Sequence, residues 1–109
     1  DQRYLLGCCS IKSVDPADGW VVWDFLKNNN HIHNTISVNT KEDYYCPEVD
    51  RPDEAWENVT LPELFNLYIN LGAKTLSKPA LDKAFKTIDF LILVDLEKLD
   101  DRSRTLFFR

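Results

Sequence analysis

The chain has 109 residues, of which 44% are hydrophobic and 28% charged, and its formal net charge is −5 at pH 7. These values are typical of one globular domain and exclude collagen-like repeats and low-complexity sequence. The longest apolar run, residues 90–94, is far shorter than the roughly 20 residues that a membrane span needs. The basic residues form no stripe that could neutralise phosphates, so a nucleic-acid partner is not expected.

Residues 4–11 form a short apolar run that predicts a buried strand. The run contains Gly7, Cys8 and Ser10, whose small side chains leave room for something to lie against the strand. Neighbouring residues on a strand point to opposite faces, which argues against a redox pair of Cys8 and Cys9. We therefore expect both thiols to be packed in a reduced protein.

A helix and a second strand are predicted next. Asp15 can cap the helix, Pro16 suits its first turn, and residues 28–30 are asparagines that end it. Apolar and polar residues then alternate over residues 31–38, which predicts a half-buried strand. Both histidines of the chain lie on one face of this strand, where they could share a metal ion. No further ligand has a familiar spacing, so two exposed histidines are the favoured interpretation.

Residues 41–57 contain seven acidic and two basic residues, and this segment accounts for the whole net charge. It shows no clear periodicity, and such a long loop in a compact domain is often functional or wraps over a site. A non-catalytic interaction module, in which this acidic loop binds a basic partner, is therefore one hypothesis for the function.

The remaining residues predict two helices and two strands. Residues 60–63 form a capping box that opens a largely apolar helix, and Gly72 supplies its end. A short second helix is predicted over residues 77–86, a strand over residues 88–96 and a returning hairpin strand over residues 105–108. The order of elements indicates an α+β fold with a mixed or antiparallel sheet.

The motifs of the common catalytic classes are absent from the sequence. There is no elbow motif around a serine or cysteine, and no histidine stands near one in a familiar pattern. There is also no glycine-rich phosphate loop. Neither a hydrolase nor a nucleotide-binding function has positive support.

Several segments together resemble one family. Residues 61–90 read LPELFNLYINLGAKTLSKPALDKAFKTIDF, and residues 91–109 read LILVDLEKLDDRSRTLFFR. With residues 3–11 and 15–19, they resemble the C-terminal part of the hemolysin-like GNAT acyltransferases, the N-acyltransferases of ornithine-lipid and glycine-lipid synthesis. The sequence departs from that family at one point. The family often has a cysteine shortly after Gly-Ala-Lys, whereas residues 75–76 of this chain are Thr-Leu.

The resemblance implies the C-terminal half of a GNAT-like fold, with a mixed sheet, flanking helices and a C-terminal hairpin. Residues 1–109 would then be one partial domain, divided into a strand-helix-strand unit (1–39), the acidic loop (40–60) and helices plus hairpin (61–109). The resemblance also implies an acyl carrier protein thioester or acyl-CoA as donor, an amino-acid acceptor, and a cytoplasmic location at the surface of the inner membrane. The isolated chain is expected to be inactive, because the donor loop would precede it.

The resemblance also suggests site residues, while it identifies no catalytic residue and implies no metal or covalently bound cofactor. Those expected on the acceptor side are Lys74, Asp82, Phe85 and Asp89. Those expected along the acyl donor are Gly7, Cys8 and Ser10. For Lys74 and Asp82 the alternative is a structural ion pair with a cap.

Overall fold

The computed structural model describes residues 3–99. Its helices and strands, in chain order, are β1 (Tyr4–Lys12), α1 (Pro16–Asn28), α2 (Glu63–Asn70), β2 (Lys74–Thr75), β3 (Ala80–Asp82) and β4 (Thr87–Asp95). Short 3-10 helices cover Glu42–Tyr44, Ala55–Asn58 and Leu96–Lys98. None of the helices in this part of the chain is long and apolar enough to cross a membrane.

The sheet is antiparallel and is built around β4. β1 pairs with β4 over its full length, from Tyr4 opposite Asp95 to Lys12 opposite Thr87. On the other side of β4, β2 and β3 follow one another along the same edge. The predicted α+β class and the antiparallel alternative are confirmed. Within residues 3–99 no strand pairs with the second edge of β1.

The two faces of the sheet differ in burial because side chains alternate along a strand. Every even-numbered residue of β4 from Ile88 to Val94 is buried, while the odd-numbered ones are partly exposed. The buried face packs on α1 and α2, where the rings of Phe65 and Phe90 lie 5.6 Å apart. The opposite face is open to solvent and is the face on which a ligand could bind.

The predicted start of α1 and the predicted end of α2 are confirmed, whereas the predicted start of α2 is wrong. Asp15 caps α1, because its side chain accepts a hydrogen bond from the amide of Ala17 at 3.0 Å. Gly72 follows α2 with a φ of 89°, which a glycine adopts without strain. The capping box predicted at residues 60–63 is wrong: α2 begins at Glu63, and Pro62 precedes it without a side-chain cap. Leu61 is instead buried in the core.

The strand predicted over residues 31–38 is also wrong. Ile32 makes one isolated bridge to Thr75, and beyond it the chain turns. The turn forms because Nδ1 of His33 accepts hydrogen bonds from the amides of Thr35 and Ile36, at 3.1 and 2.9 Å. This local bonding competes with a strand ladder and interrupts the alternation.

The short helix predicted over residues 77–86 is a strand and a tight turn. β3 lies within it, and the turn that joins β3 to β4 has Lys86 at a φ of 57°. Two factors favour the strand. The residue before a proline, here Lys78, is disfavoured in the α region of backbone conformation. In addition, the edge of β4 supplies hydrogen-bond partners for the backbone of residues 80–82. The hairpin strand expected over residues 105–108 lies outside the described residues.

The acidic loop is attached to α1 at two points. The indole Nε1 of Trp20 donates to the carbonyls of Cys46 and Pro47, at 3.2 and 3.0 Å. Further along, the guanidinium of Arg51 makes a two-pronged ion pair with Asp24, at 2.6 and 2.9 Å. The loop therefore has a defined course over the molecule, although it contains no long regular element.

Candidate functional site

A groove of about 390 Å³ lies on the solvent-facing side of the sheet, next to β3 and β4. We call it the β3–β4 groove. Its lining residues come from the strands and from the start of the acidic loop: Cys8, Val38, Asn39, Thr40, Lys41, Tyr44, Ser77, Ala80, Asp82, Asp89 and Leu91. The volume is within the range of small-molecule sites.

Strand register brings the polar residues of this groove together. Ser10 lies opposite Asp89, and Ala80 lies opposite Asp89 on the other side of β4. Directly paired residues share a face of the sheet, and so do residues two apart on one strand. Asp82 is therefore on the same face as Ala80 and Asp89, and Cys8 is on the same face as Ser10.

Each of the two carboxylates uses one oxygen within the fold. Oδ1 of Asp89 accepts from the hydroxyls of Ser10, at 2.6 Å, and Thr87, at 2.9 Å. Oδ1 of Asp82 accepts from two backbone amides of the following turn, both at 3.1 Å. Among residues 3–99 neither Oδ2 atom has a hydrogen bond or ion pair. Each is free to accept from a ligand.

The first residues of the acidic loop also line the groove. Tyr45 makes an antiparallel bridge to Ala80, which fastens the loop to β3. The 3-10 turn before it is closed by the amide of Tyr44, which donates to the carbonyl of Lys41 at 2.9 Å. These contacts place Lys41 at the groove, where its ammonium is in none of the ion pairs formed among the described residues.

The thiols differ in exposure, and none is activated. Cys9 and Cys46 are buried, whereas Cys8 is exposed in the groove, so the expectation of packed thiols is wrong for Cys8. Partial burial and the nearby charge of Asp89 raise the pKa of Cys8, and burial raises the pKa of Cys9 to about 11. A protonated thiol is a poor nucleophile. Cys8 therefore serves as a wall of the groove.

Of the expected site residues, Cys8, Asp82 and Asp89 line this groove, and Ser10 lies beside it through its hydrogen bond to Asp89. The other three lie elsewhere. Lys74 is in register with Leu93, six positions along β4 from the partner of Asp82 and hence about 20 Å away. Its ammonium donates to the carbonyl of Asn30 at 2.5 Å, so the alternative of an ion pair with Asp82 is not what the structure has. Phe85 is 78% exposed in the turn that joins β3 to β4.

Gly7 is the third, and it faces the other side of the sheet from Cys8 and Ser10. A Cβ atom at Gly7 would have no heavy atom within 4 Å. The space beside it is a small apolar cavity of about 130 Å³, bordered by Leu64 and Tyr68 of α2. Of the expected donor set, Gly7 borders only this small cavity, whereas Cys8 borders both it and the β3–β4 groove.

The histidines are not in the β3–β4 groove. Burial and the charge of Lys74 lower the pKa of His31, and His33 uses Nδ1 as an acceptor in its own turn. Within the described range, no group of three histidine, cysteine or acidic side chains is placed to hold a metal ion.

Sequence reasoning missed Lys41 and Tyr44 as residues of the site. The sequence indicated these two residues only in a general way, through the expectation that the long acidic loop wraps over a site. With Lys41 included, the groove offers one ammonium and two carboxylates, a set that suits a small ligand with charges of both signs.

Comparison with known proteins gives two significant relatives. L-ornithine N(alpha)-acyltransferase of Rhizobium meliloti (strain 1021) is 29% identical over 104 residues, 90% of this chain and 34% of the relative. The protein with the same name from Brucella abortus (strain 2308) is 28% identical over 102 residues, 90% of this chain and 36% of the relative. No family profile matches the chain. No solved structure gives a significant match.

The chain spans about a third of the length of the curated relatives it matches. The resemblance to ornithine-lipid N-acyltransferases inferred from the sequence is thereby confirmed. By this similarity, the chain is a distant homologue of a segment of the L-ornithine N(alpha)-acyltransferases.

Proposed function

We propose that the chain is part of an N-acyltransferase, which moves a fatty acyl group from a thioester to the amino group of an amino acid. The donor is a thioester of acyl carrier protein or of coenzyme A. The observation that carries the proposal is the similarity to two L-ornithine N(alpha)-acyltransferases over 90% of the chain. The mixed charges of the β3–β4 groove support it, because a free amino acid is a zwitterion.

The reaction requires a neutral amine. Its nitrogen attacks the thioester carbonyl carbon and forms the amide bond as the carbon–sulfur bond breaks. The amine loses one proton, and the leaving thiolate gains one, so atoms and charge balance without an oxidant or a metal ion. Binding energy that orients the amine against the thioester is the contribution expected from a segment that holds the acceptor.

In this proposal the β3–β4 groove holds the acceptor and β1 guides the donor. Asp82 and Asp89 each have a free carboxylate oxygen for an ammonium group. Cys8 lines the β1 side of the same groove and Ser10 lies two positions further along β1, and we propose that a thin pantetheine arm passes beside these small side chains. The apolar cavity next to Gly7 is the place we propose for part of the acyl chain.

We further propose that these residues form the C-terminal half of a GNAT-like fold, which the rest of a longer protein completes at the edge of β1 that has no partner among the described residues. Helix N-termini bind phosphates well, and a donor loop at such an N-terminus would precede β1. The isolated segment is then inactive. A lipid product suits a cytoplasmic enzyme at the membrane surface.

The test uses the complete protein, acyl carrier protein loaded with a fatty acyl group, and ornithine or glycine as acceptor, with formation of the acylated amino acid measured. Asp82→Asn keeps Oδ1 for the turn amides and removes the charge. A hydrogen bond to a charged group contributes about 1.5–3 kcal/mol, so we expect kcat/KM to fall at least about tenfold. Asp53→Asn, which removes an acid outside the groove, is the matched control and should retain activity.

Two results contradict the proposal in different ways. Absence of acyl transfer by the complete wild-type protein from either donor class rejects the acyltransferase function. Transfer that is equally fast in Asp82→Asn and in the control rejects the acceptor role of Asp82 and leaves it with the turn alone.

A further inference from the structure

The turn that joins β3 to β4 presents an aromatic ring and two ammonium groups to solvent. It consists of residues 83–86, which read Lys-Ala-Phe-Lys, and all four are exposed. We call it the 83–86 turn. Phe85 is 78% exposed, more than any other large hydrophobic residue in the described part of the chain. A single exposed apolar residue is ordinary on a protein surface. Here, however, the ring lies between two lysines at the tip of a hairpin.

The backbone of the 83–86 turn is fixed by the fold. Oδ1 of Asp82 accepts hydrogen bonds from the amides of Ala84 and Phe85, both at 3.1 Å. Lys86 closes the turn with a φ of 57°, a left-handed conformation that is uncommon for residues other than glycine. The ring of Phe85 is therefore held outward by a defined turn, and the described residues do not bury it.

Positive charge is concentrated at this end of the sheet. The 83–86 turn contains two lysines and no acid, in a chain whose formal net charge is −5. Lys12, the exposed last residue of β1, lies opposite Thr87, the residue that follows the turn. None of these three lysines is in an ion pair formed among residues 3–99. The acid next to the turn, Asp82, directs one oxygen to the turn amides.

We propose that the 83–86 turn docks on an anionic lipid bilayer. The ring of Phe85 inserts among the headgroups, and the ammonium groups of the turn and of Lys12 lie beside lipid phosphates. Basic residues around a large apolar side chain are the composition of segments that bind the membrane interface. Each lysine near an anionic lipid surface adds to the attraction, which falls off within a Debye length.

The shape and the charge of the molecule favour a bilayer over an acidic protein as the partner. A protein interface takes about 20–30 residues a side, whereas a lipid surface accepts one ring from a tip of four residues. The net negative charge of the chain is repelled by anionic lipid, so the molecule is oriented with this basic end toward the bilayer.

Docking at the 83–86 turn has a consequence for the β3–β4 groove. Asp82 lines the groove and also bonds to the turn amides, so the groove lies next to the docked tip. An acylated amino acid is amphiphilic and would pass from the groove directly into the lipid. This consequence rests on the proposed acyltransferase function, whereas the docking itself does not.

The test measures binding of the complete protein to sedimented vesicles of phosphatidylcholine, with or without an equal amount of phosphatidylglycerol. Wild-type protein should bind the mixed vesicles at least about tenfold more tightly than the uncharged ones, and added salt should reduce this difference. Phe85→Ser should weaken binding to the mixed vesicles by about tenfold, because the inserted apolar area is lost. Phe85→Trp, which keeps an aromatic ring suited to the interface, should bind as tightly as wild type.

A second variant tests the charges of the turn. Lys83→Gln combined with Lys86→Gln should lower the preference for mixed vesicles by about tenfold, while binding to pure phosphatidylcholine is unchanged. Lys27→Gln, which removes an exposed ammonium on α1, is the matched control for charge. Tyr45→Ser, which removes a 64% exposed ring in the acidic loop, is the matched control for the aromatic side chain. Both controls should bind as wild type.

Three results would overturn the proposal. The first is wild-type binding that does not depend on phosphatidylglycerol, and the second is Phe85→Ser binding mixed vesicles as tightly as wild type. The third is that the turn variants lose binding to acyl carrier protein and keep binding to vesicles, since the turn would then dock an acidic protein. Acyl transfer by the wild-type protein is measured separately without vesicles, so failure of the proposed function and failure of the docking are distinguishable.

Discussion

Thr75 is fully buried in β2, and its hydroxyl has no hydrogen-bond partner among the described residues. An unpaired buried polar group destabilises a fold by about 1–3 kcal/mol. We predict that Thr75→Val, which keeps the branched shape, raises the free energy of unfolding by about 1 kcal/mol in chemical denaturation. Thr87→Val is the matched control, because the Thr87 hydroxyl donates to Asp89, and it should lower stability. A loss of stability in Thr75→Val would mean that the hydroxyl has a partner.

The ion pair of Asp24 and Arg51 gives a pH dependence with a definite sign. The hydrogen bond from Arg51 is the main reason why the pKa of Asp24 is lowered. A carboxyl with a lowered pKa stabilises the fold above its ordinary pKa of about 3.9, and the contribution is lost as the pH falls through the folded-state pKa. We predict that Asp24→Asn is less stable than wild type at pH 7 and that this difference shrinks below about pH 4.

Denaturation of both proteins at pH 7, 5 and 3 checks this prediction, and only the difference between them is informative because other carboxylates titrate in the same range. A constant difference across the three pH values would show that Asp24 acts through packing and not through its charge.

For single residues, side-chain alternation along a strand predicts the direction of a side chain but not its exposure. The alternation along β1 correctly predicted that Cys8 and Cys9 point to opposite faces. It could not predict that Cys8 is exposed, because whether a face is covered depends on what packs against it. The same limit applies to Lys74, whose partner, the carbonyl of Asn30, is 44 positions away in the chain.

At the scale of elements, β1, α1 and β4 are the best predicted and the short strands the worst. α1 has a cap, a proline in its first turn and an apolar face, so its start is encoded locally. β2 and β3 have two and three residues, too few for any periodicity. They are strands only because β4 offers them a hydrogen-bonding edge, which is a tertiary condition.

The contact between α1 and β4 is close enough to be tested with one methyl group. A Cβ atom on Gly19 would lie 2.9 Å from Cγ2 of Ile88 and 3.1 Å from Cβ of Pro79. Alanine favours a helix by about 1 kcal/mol relative to glycine, but overpacking costs about 1–3 kcal/mol. We predict that Gly19→Ala lowers the melting temperature, as measured by circular dichroism.

Gly7→Ala is the matched substitution in β1, where the added methyl group meets open space. It should raise stability by about 0.5–1 kcal/mol, because glycine within a strand is unfavourable. Opposite signs for the two variants would support the packing described here. A stabilised Gly19→Ala variant would mean that α1 moves away from Ile88 easily.

At the scale of the whole molecule, the main feature is the edge of β1 that has no strand partner among residues 3–99. Unpaired strand edges readily pair with another strand. If a preceding part of the protein completes the sheet, the β1 amides that point away from β4 should exchange hydrogen quickly in residues 1–109 alone and slowly in the complete protein. The β1 amides that bond to β4 are the internal control. Equal exchange of the outward amides in both proteins would contradict completion of the sheet at this edge.

The sequence by itself determined the α+β class, the extent of the two long strands to within one residue, the start of α1 and the concentration of negative charge in one loop. Each depends on residues close together in the chain, through side-chain alternation, capping and composition. The resemblance to N-acyltransferases also came from local motifs in a particular order. Only the tertiary structure decided that residues 80–82 are a strand, that Asp82 and Asp89 share a face, and that Lys41 lines the same groove. These facts depend on pairing between segments far apart in the chain, and no local pattern encodes such pairing.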